Sequence, residues 1–181
     1  LTTPTASGKT LIAILTAGKT ILEKEGKIVY LSPLRALAKE KYEEFKVFES
    51  IKKLNGTNIR VVLSSGDYDS SNKFLKKGDI IILTNEKFDS LLRHGIPWID
   101  DVKLFIADEV HLVGDPYRGP TIETILTKIL SLAPEAQILA LSATIRNAKE
   151  LADWLRAVLV DTQWRPVKLI EGVYLYGEIF Y

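Results

Sequence analysis

The chain contains no cysteine and no methionine, has only two histidines, and carries no apolar run longer than a β-strand. Without cysteine there are no disulfides, no thiolate metal sites and no cysteine nucleophile. His94 and His111 have no partners at metal-ligand spacing, which argues against a protein-held zinc site. The short apolar runs exclude a membrane-spanning helix, and the first residues show no signal-peptide pattern, so a cytosolic protein is expected. Charge of one sign is also missing: 24 basic residues against 23 acidic leave a net charge of +1. A nucleic-acid partner must therefore be held by a local arrangement, not by a globally basic surface. From the lack of methionine, with Leu1 at the start, the chain is expected to be a piece of a longer protein. Scarce Asn and Gln beside abundant Lys and Glu fit a thermophilic source.

What is present is enough for one core. At 181 residues and 46% apolar, a single domain is expected. Short apolar runs alternate with longer segments of helical spacing, the pattern of a parallel α/β sheet. The expected strands are Ile28–Leu31, Ile59–Leu63, Ile80–Leu83, Leu104–Ala107, Ile138–Leu141 and Val158–Val160. Most should be covered on both faces, since they are apolar without alternation. Leu34, Leu37, Ala38, Tyr42, Phe45 and Phe48 draw one apolar helix face, and Ile122, Ile125, Leu126, Ile129 and Leu130 draw another. Further helices are expected from Thr10 to about Lys24, with Gly26 past the end, and around Leu151, Ala152 and Leu155. Asn55-Gly56 reads as a turn.

In open α/β sheets ligands gather at the carboxyl ends of the strands. Here those ends are Ser32-Pro33, Ser64-Ser65-Gly66-Asp67, Thr84-Asn85-Glu86, Asp108-Glu109 and Ser142-Ala143-Thr144. Each alone is ordinary loop chemistry; five along one edge suggest a working surface. At the start, "TTPTASGKT" approaches the phosphate-loop pattern GxxxxGK[ST]. Gly8, Lys9 and Thr10 supply its second half, Thr3 stands where the first glycine would be, and Thr5, Ala6 and Ser7 are small enough for a tight turn. By itself this truncated pattern only modestly favours a nucleotide over a chance Lys-Thr at a helix entry. Independent support comes from Asp108-Glu109, paired acids at a buried strand end. Asp108 suits the hydration shell of a Mg²⁺ ion that Thr10 also touches, and Glu109 suits the deprotonation of an attacking water. His94 reads as the end of a helix before Gly95.

With "PTASGKT", "DEVH" and "SAT" in order, the sequence resembles the first RecA-like motor domain of superfamily two DExH helicases. "YLSPLRALAKEKYEEF", "SSGDYD", "TNEKFDSLLRH", "DEVHLVGDPYRGPTIE", "SATIRNAKELADWL" and "WRPVKLIEGVY" extend the resemblance to the Ski-like branch. Within it the chain is most similar to archaeal replication-fork repair helicases related to the polymerase-theta helicase domain. The branch typically has "PT" before its loop, which makes the missing glycine a family habit.

The resemblance implies a RecA-like phosphate-loop NTPase domain with a mostly parallel sheet and helices on both faces. The implied activity is an ATP-driven, Mg²⁺-dependent motor moving 3′ to 5′ on single-stranded or forked DNA. Lys9 and Thr10 match the triphosphate and magnesium ligands, within a loop of Thr5, Ala6, Ser7 and Gly8. Asp108 and Glu109 match the magnesium and water residues. His111 matches a position linking the nucleotide site to the rest of the motor, and Ser142 and Thr144 match a coupling motif. Nucleic-acid contacts are implied at Pro33, Arg35, Gly66, Asp67, Thr84, Asn85 and Lys87. Local reading of the residues alone instead makes Arg35 a surface residue and Thr84 a helix cap. Arg118-Gly119-Pro120 reads as a structural turn with Pro120 at a helix start. Residues 1–161 are expected to form the first motor domain and 162–181 to lead toward a second RecA-like domain, which supplies an arginine to the γ-phosphate. Without it the fragment is expected not to unwind. RNA remains an alternative substrate, because the branch includes RNA remodellers. A non-hydrolysing nucleotide switch is the third reading, which the intact Lys9, Thr10, Asp108 and Glu109 oppose.

Overall fold

A computed structural model of the chain describes residues 1–4, 7–66, 72–170 and 172–180. Five strands, β1 (Lys27–Ser32), β2 (Val61–Ser64), β3 (Ile80–Thr84), β4 (Val102–Ala107) and β5 (Gln137–Ala140), form one sheet in the order β2-β3-β1-β4-β5. Every pairing in it is parallel. The helices are α1 (Lys9–Glu23), α2 (Arg35–Phe45), α3 (Asn72–Leu75), α4 (Asn85–His94), α5 (Gly119–Leu132) and α6 (Ala148–Trp154).

The strands read as continuous apolar runs because both sheet faces are covered. Ile28, Tyr30, Ile80, Ile82, Leu104 and Ile106 point to the side of α1 and α2, where Ala13, Ala17, Ile21 and Phe45 meet them. Val29, Leu31, Ile81, Leu83 and Phe105 point to the other side, against Phe88 and Leu91 of α4 and Ile125 and Ile129 of α5. Fully burying one such side chain is worth about 1.5–3 kcal/mol, so the central strands β1, β3 and β4 fix the register and with it the order of the polar strand ends.

Local signals place the helix boundaries. The Thr84 hydroxyl accepts a hydrogen bond from the Lys87 backbone N at 3.3 Å, which caps α4, and Gly95, at φ 80°, ends it after His94. Pro120 lies in the first turn of α5. Asn55 Oδ1 accepts from both N and Oγ1 of Thr57, which closes the expected turn.

Two strand expectations are corrected. The strand expected from Ile59 begins at Val61, since the Ile59 N donates at 3.4 Å to Ile51 O. Val158–Val160 is not a strand of the sheet. Among the described residues its backbone pairs with the extended start of the chain: the Thr2 N donates to Val160 O (2.9 Å) and the Thr162 N to Thr2 O (3.1 Å), a parallel bridge of Thr2 with Asp161. Val158 remains 88% exposed, so the run lacks the covering layer its composition implied. Beyond it, β6 (Val173–Leu175) and β7 (Glu178–Phe180) form an antiparallel hairpin whose residues are all exposed. Its turn residues, Tyr176 and Gly177, both have positive φ.

Candidate functional site

The opening loop is tied at its root. Thr3, only 2% exposed, donates its backbone N to Ser142 O at 3.3 Å and its hydroxyl to Ser7 Oγ at 2.7 Å, and Ser7 Oγ donates on to Pro4 O at 2.6 Å. The residue that breaks the phosphate-loop pattern thus closes the loop with its own side chain. Gly8 then turns the chain into α1 at φ 91° with open space around it, so it is the backbone conformation that demands glycine. No acidic residue occupies the first turn of α1, which leaves its positive dipole end uncompensated for an anion. Lys9 folds back with Nζ 3.5 Å from Thr3 O. Thr5 and Ala6 lie outside the described residues.

At the end of β4, Asp108 is buried, and its two oxygens have different partners. Oδ2 accepts the Tyr30 hydroxyl at 2.7 Å and Oδ1 accepts the Glu109 backbone N at 2.9 Å. Burial, reinforced by the charge of Asp108 and the hydrogen bond to it, pushes the Tyr30 phenol far above its ordinary value. Glu109 takes a left-handed backbone, φ 51° and ψ 44°, uncommon for a residue other than glycine and often found at functional sites. The second carboxylate has a different partner from the first: its Oε2 lies 3.2 Å from His111 Nδ1. The same nitrogen lies 3.4 Å from the Ala143 backbone N. A protonated Nδ1 donates to Glu109 and an unprotonated one accepts from Ala143, so the two bonds exclude each other. His111 therefore stands between the acid pair and the Ser142-Ala143-Thr144 segment. Ser142 is buried and Thr144 is exposed.

A further cation joins the loop to this region. Lys41, on the inward face of α2 and 7% exposed, donates to Thr10 Oγ1 at 2.9 Å. It also donates to Glu40 Oε1 at 3.2 Å and Glu44 Oε2 at 3.0 Å. Burial works against its charge, but the hydrogen bonds and charges of Glu44 and Glu40 outweigh that and hold its pKa above the ordinary lysine value. Neither Lys41 nor Tyr30 was expected at the site. Both were legible as polar groups inside apolar patterns: Lys41 falls between Leu37, Ala38 and Phe45 on the core face, and Tyr30 is the one hydroxyl within the first apolar run.

The sheet order puts the other candidates on the neighbouring half of the same edge. Ser32 and Thr84 are paired in register at the ends of β1 and β3, and Ser64 ends β2 beside them. Pro33, Thr84 and Asn85 are buried, Gly66 and Lys87 are half-buried and Arg35 is exposed. Thr84 acts as a helix cap, as its local sequence implied. Asp67 lies outside the described residues. Among the described residues, no three His, Asp or Glu side chains form a group able to hold a metal, and no helix is long and apolar enough to cross a membrane.

A phosphate-type loop at a helix start, an acid pair at a buried strand end and a hydroxyl-bearing strand end beside it occupy one sheet edge. Residues 1–151 match the model of the DEAD/DEAH box helicase family. The chain belongs to that family. Among curated relatives, the ATP-dependent DNA helicase Hel308 of Thermococcus kodakarensis is 54% identical over 181 residues, all of this chain and 15% of the relative. Hel308 of Pyrococcus abyssi is 52% identical over 178 residues, 98% of this chain and 24% of the relative. Hel308 of Methanocella arvoryzae is 49% identical over 175 residues, 97% and 23% respectively. The chain thus spans no more than about a quarter of the length of these helicase relatives. As a helicase domain, its α/β sheet with the acid pair at a strand end is the fold its sequence pattern implied.

Proposed function

We propose that the chain is the ATP-binding motor domain of an ATP-dependent DNA helicase with 3′ to 5′ polarity that acts in replication-fork repair or recombination. The observation that carries this reading is the separation of two adjacent carboxylates: Asp108 is buried and held by Tyr30, while the left-handed turn at Glu109 directs the second toward His111. This difference in partners supports a reading in which one carboxylate binds and the other transfers a proton.

In this reading Thr5, Ala6, Ser7 and Gly8 cradle the phosphates, and Lys9 leaves Thr3 O to meet the β- and γ-phosphates. The Thr10 hydroxyl and the Asp108 carboxylate would hold Mg²⁺. Both are hard oxygen donors, and one carboxylate with nucleotide phosphates is the usual protein share of such a site. When bound, the ion neutralises charge on the transferring phosphoryl group. Glu109 orients the attacking water and accepts its proton. His111 exchanges Glu109 for Ala143, and with Ser142 and Thr144 it relays the state of the site to the rest of the motor. Pro33, Arg35, Gly66, Asp67, Thr84, Asn85 and Lys87 face single-stranded or forked DNA through sequence-tolerant contacts. DNA is preferred to RNA because the relatives above are named DNA helicases. Residues 1–161 make up the first motor domain, and 162–181 lead toward a second RecA-like domain whose arginine adds about three to five orders of magnitude in rate. The setting is cytosolic.

The test is Glu109→Gln in the protein carrying both motor domains. ATP binding is expected to match wild type, while DNA-stimulated hydrolysis falls about 10²- to 10⁴-fold. Hydrolysis at the wild-type rate would remove Glu109 as the base.

A further inference from the structure

Lys41 occupies an unusual position for a lysine. It is buried on the core face of α2, and its ammonium makes three kinds of contact: to Thr10 Oγ1 (2.9 Å), to Glu44 (3.0 Å) and to Glu40 (3.2 Å). An ammonium has three donors, so the side chain is fully used. Thr10 is the residue that the reading above gives to a divalent cation, and here a cation already sits on its hydroxyl oxygen. Two like charges on one oxygen repel, and burial weakens the screening between them. The two carboxylates of α2 offer Lys41 a berth that it already touches, so letting go of Thr10 leaves it paired and not stranded.

We propose that Lys41 is a placeholder cation for the nucleotide site. Its ammonium holds the Thr10 hydroxyl in place while Glu44 and Glu40 balance its charge. When metal and nucleotide bind, it withdraws onto Glu44 and Glu40. Metal affinity at Thr10 is therefore set by a competition with Lys41, and Glu44 tunes that competition by stabilising the withdrawn position. Lys41 acts through Thr10, as a positioning residue. The proposal rests on the assignment of Thr10 and Asp108 to Mg²⁺.

The experiment is the Mg²⁺ dependence of binding of a fluorescent ADP analogue to wild type, Lys41→Met, Glu44→Gln and the double variant, with thermal melts to confirm folding. Removing a like charge a few ångströms from a binding group shifts its equilibrium by one or more powers of ten. The half-saturating Mg²⁺ concentration is expected to fall about tenfold in Lys41→Met and to rise in Glu44→Gln. In the double variant it should match Lys41→Met, because Glu44 acts through Lys41. Glu44 is partly exposed, so that variant reports even if Lys41→Met does not fold. If Lys41→Met needs as much Mg²⁺ as wild type, or more, or if Glu44→Gln needs no more, the placeholder role is overturned. If wild type itself binds the analogue without any dependence on Mg²⁺, the metal assignment fails instead, which separates the two.

Discussion

Removing a single oxygen at Tyr30 tests how the acid pair is built. Tyr30→Phe keeps the ring packed against Phe45, 5.4 Å away centre to centre, so no cavity opens and the loss is the 2.7 Å hydrogen bond to Asp108. Hydrogen bonds to charged groups contribute about 1.5–3 kcal/mol; we take about 2 kcal/mol here because both partners are buried. For a chain of this size that lowers the melting temperature by roughly 4–8 °C near neutral pH. The phenol adds a second signature. Its folded-state pKa is raised above the ordinary 10.0 by burial and by Asp108, whereas the unfolded chain ionises near that value. Below pH 10 both states hold the proton and the full advantage is present. Above it the unfolded chain releases a proton that the folded chain keeps, so wild type loses up to about 1.4 kcal/mol per pH unit from this group. The variant lacks that loss. Wild type should therefore lead by about 2 kcal/mol at pH 8 and by well under 1 kcal/mol at pH 11, measured by urea unfolding at both pH values. Equal stability at pH 8, or a gap that does not narrow at pH 11, would refute the account of how Asp108 is held.

Thr3→Gly restores the glycine that the phosphate-loop pattern calls for, yet it should destabilise the chain. It deletes the Thr3–Ser7 hydroxyl bond and adds backbone freedom, together about 1–2 kcal/mol, which a shifted urea midpoint reads directly; an unchanged midpoint would mean that Thr3 only fills space. Gly119→Ala sets two effects against each other. Alanine favours a helix by up to about 1 kcal/mol, but its Cβ would lie 2.2 Å from Val113 O, and forcing a backbone shift there costs about 1–3 kcal/mol. Net destabilisation is expected in thermal unfolding, and a raised melting temperature would show that the turn before α5 gives way.

The fold was legible because its strands are apolar on both faces, a pattern that in a short chain leaves little besides a parallel sheet under two helical layers. Val158–Val160 misled for the same reason. A run of β-branched and apolar residues states what the chain would bury, and among the described residues only Thr2 pairs with its backbone. The neighbour that would cover such a run is not a local property of the sequence. At Thr84 the capping side chain and its target amide lie three residues apart, so sequence alone identified the cap.

The acid pair was equally visible as residues, but not what distinguishes its two members. Asp108 and Glu109 are adjacent and chemically alike; their surroundings diverge through Tyr30, 78 positions earlier, and through the left-handed turn at Glu109. Neither is encoded nearby. What the sequence does hold is the anomaly each buried partner creates: a hydroxyl in the middle of a strand and a lysine on the core face of a helix. Burying such groups is costly unless they are paired, so each one implies a partner elsewhere in the chain. Taken together, Tyr30 and Lys41 imply two polar partners under the same face of the sheet. The carboxylate of Asp108 and the hydroxyl of Thr10, with Glu44 and Glu40 beside Lys41, are what the structure supplies. Polar exceptions within an apolar period are thus a way to find the buried support of a polar sheet edge as well as its exposed groups.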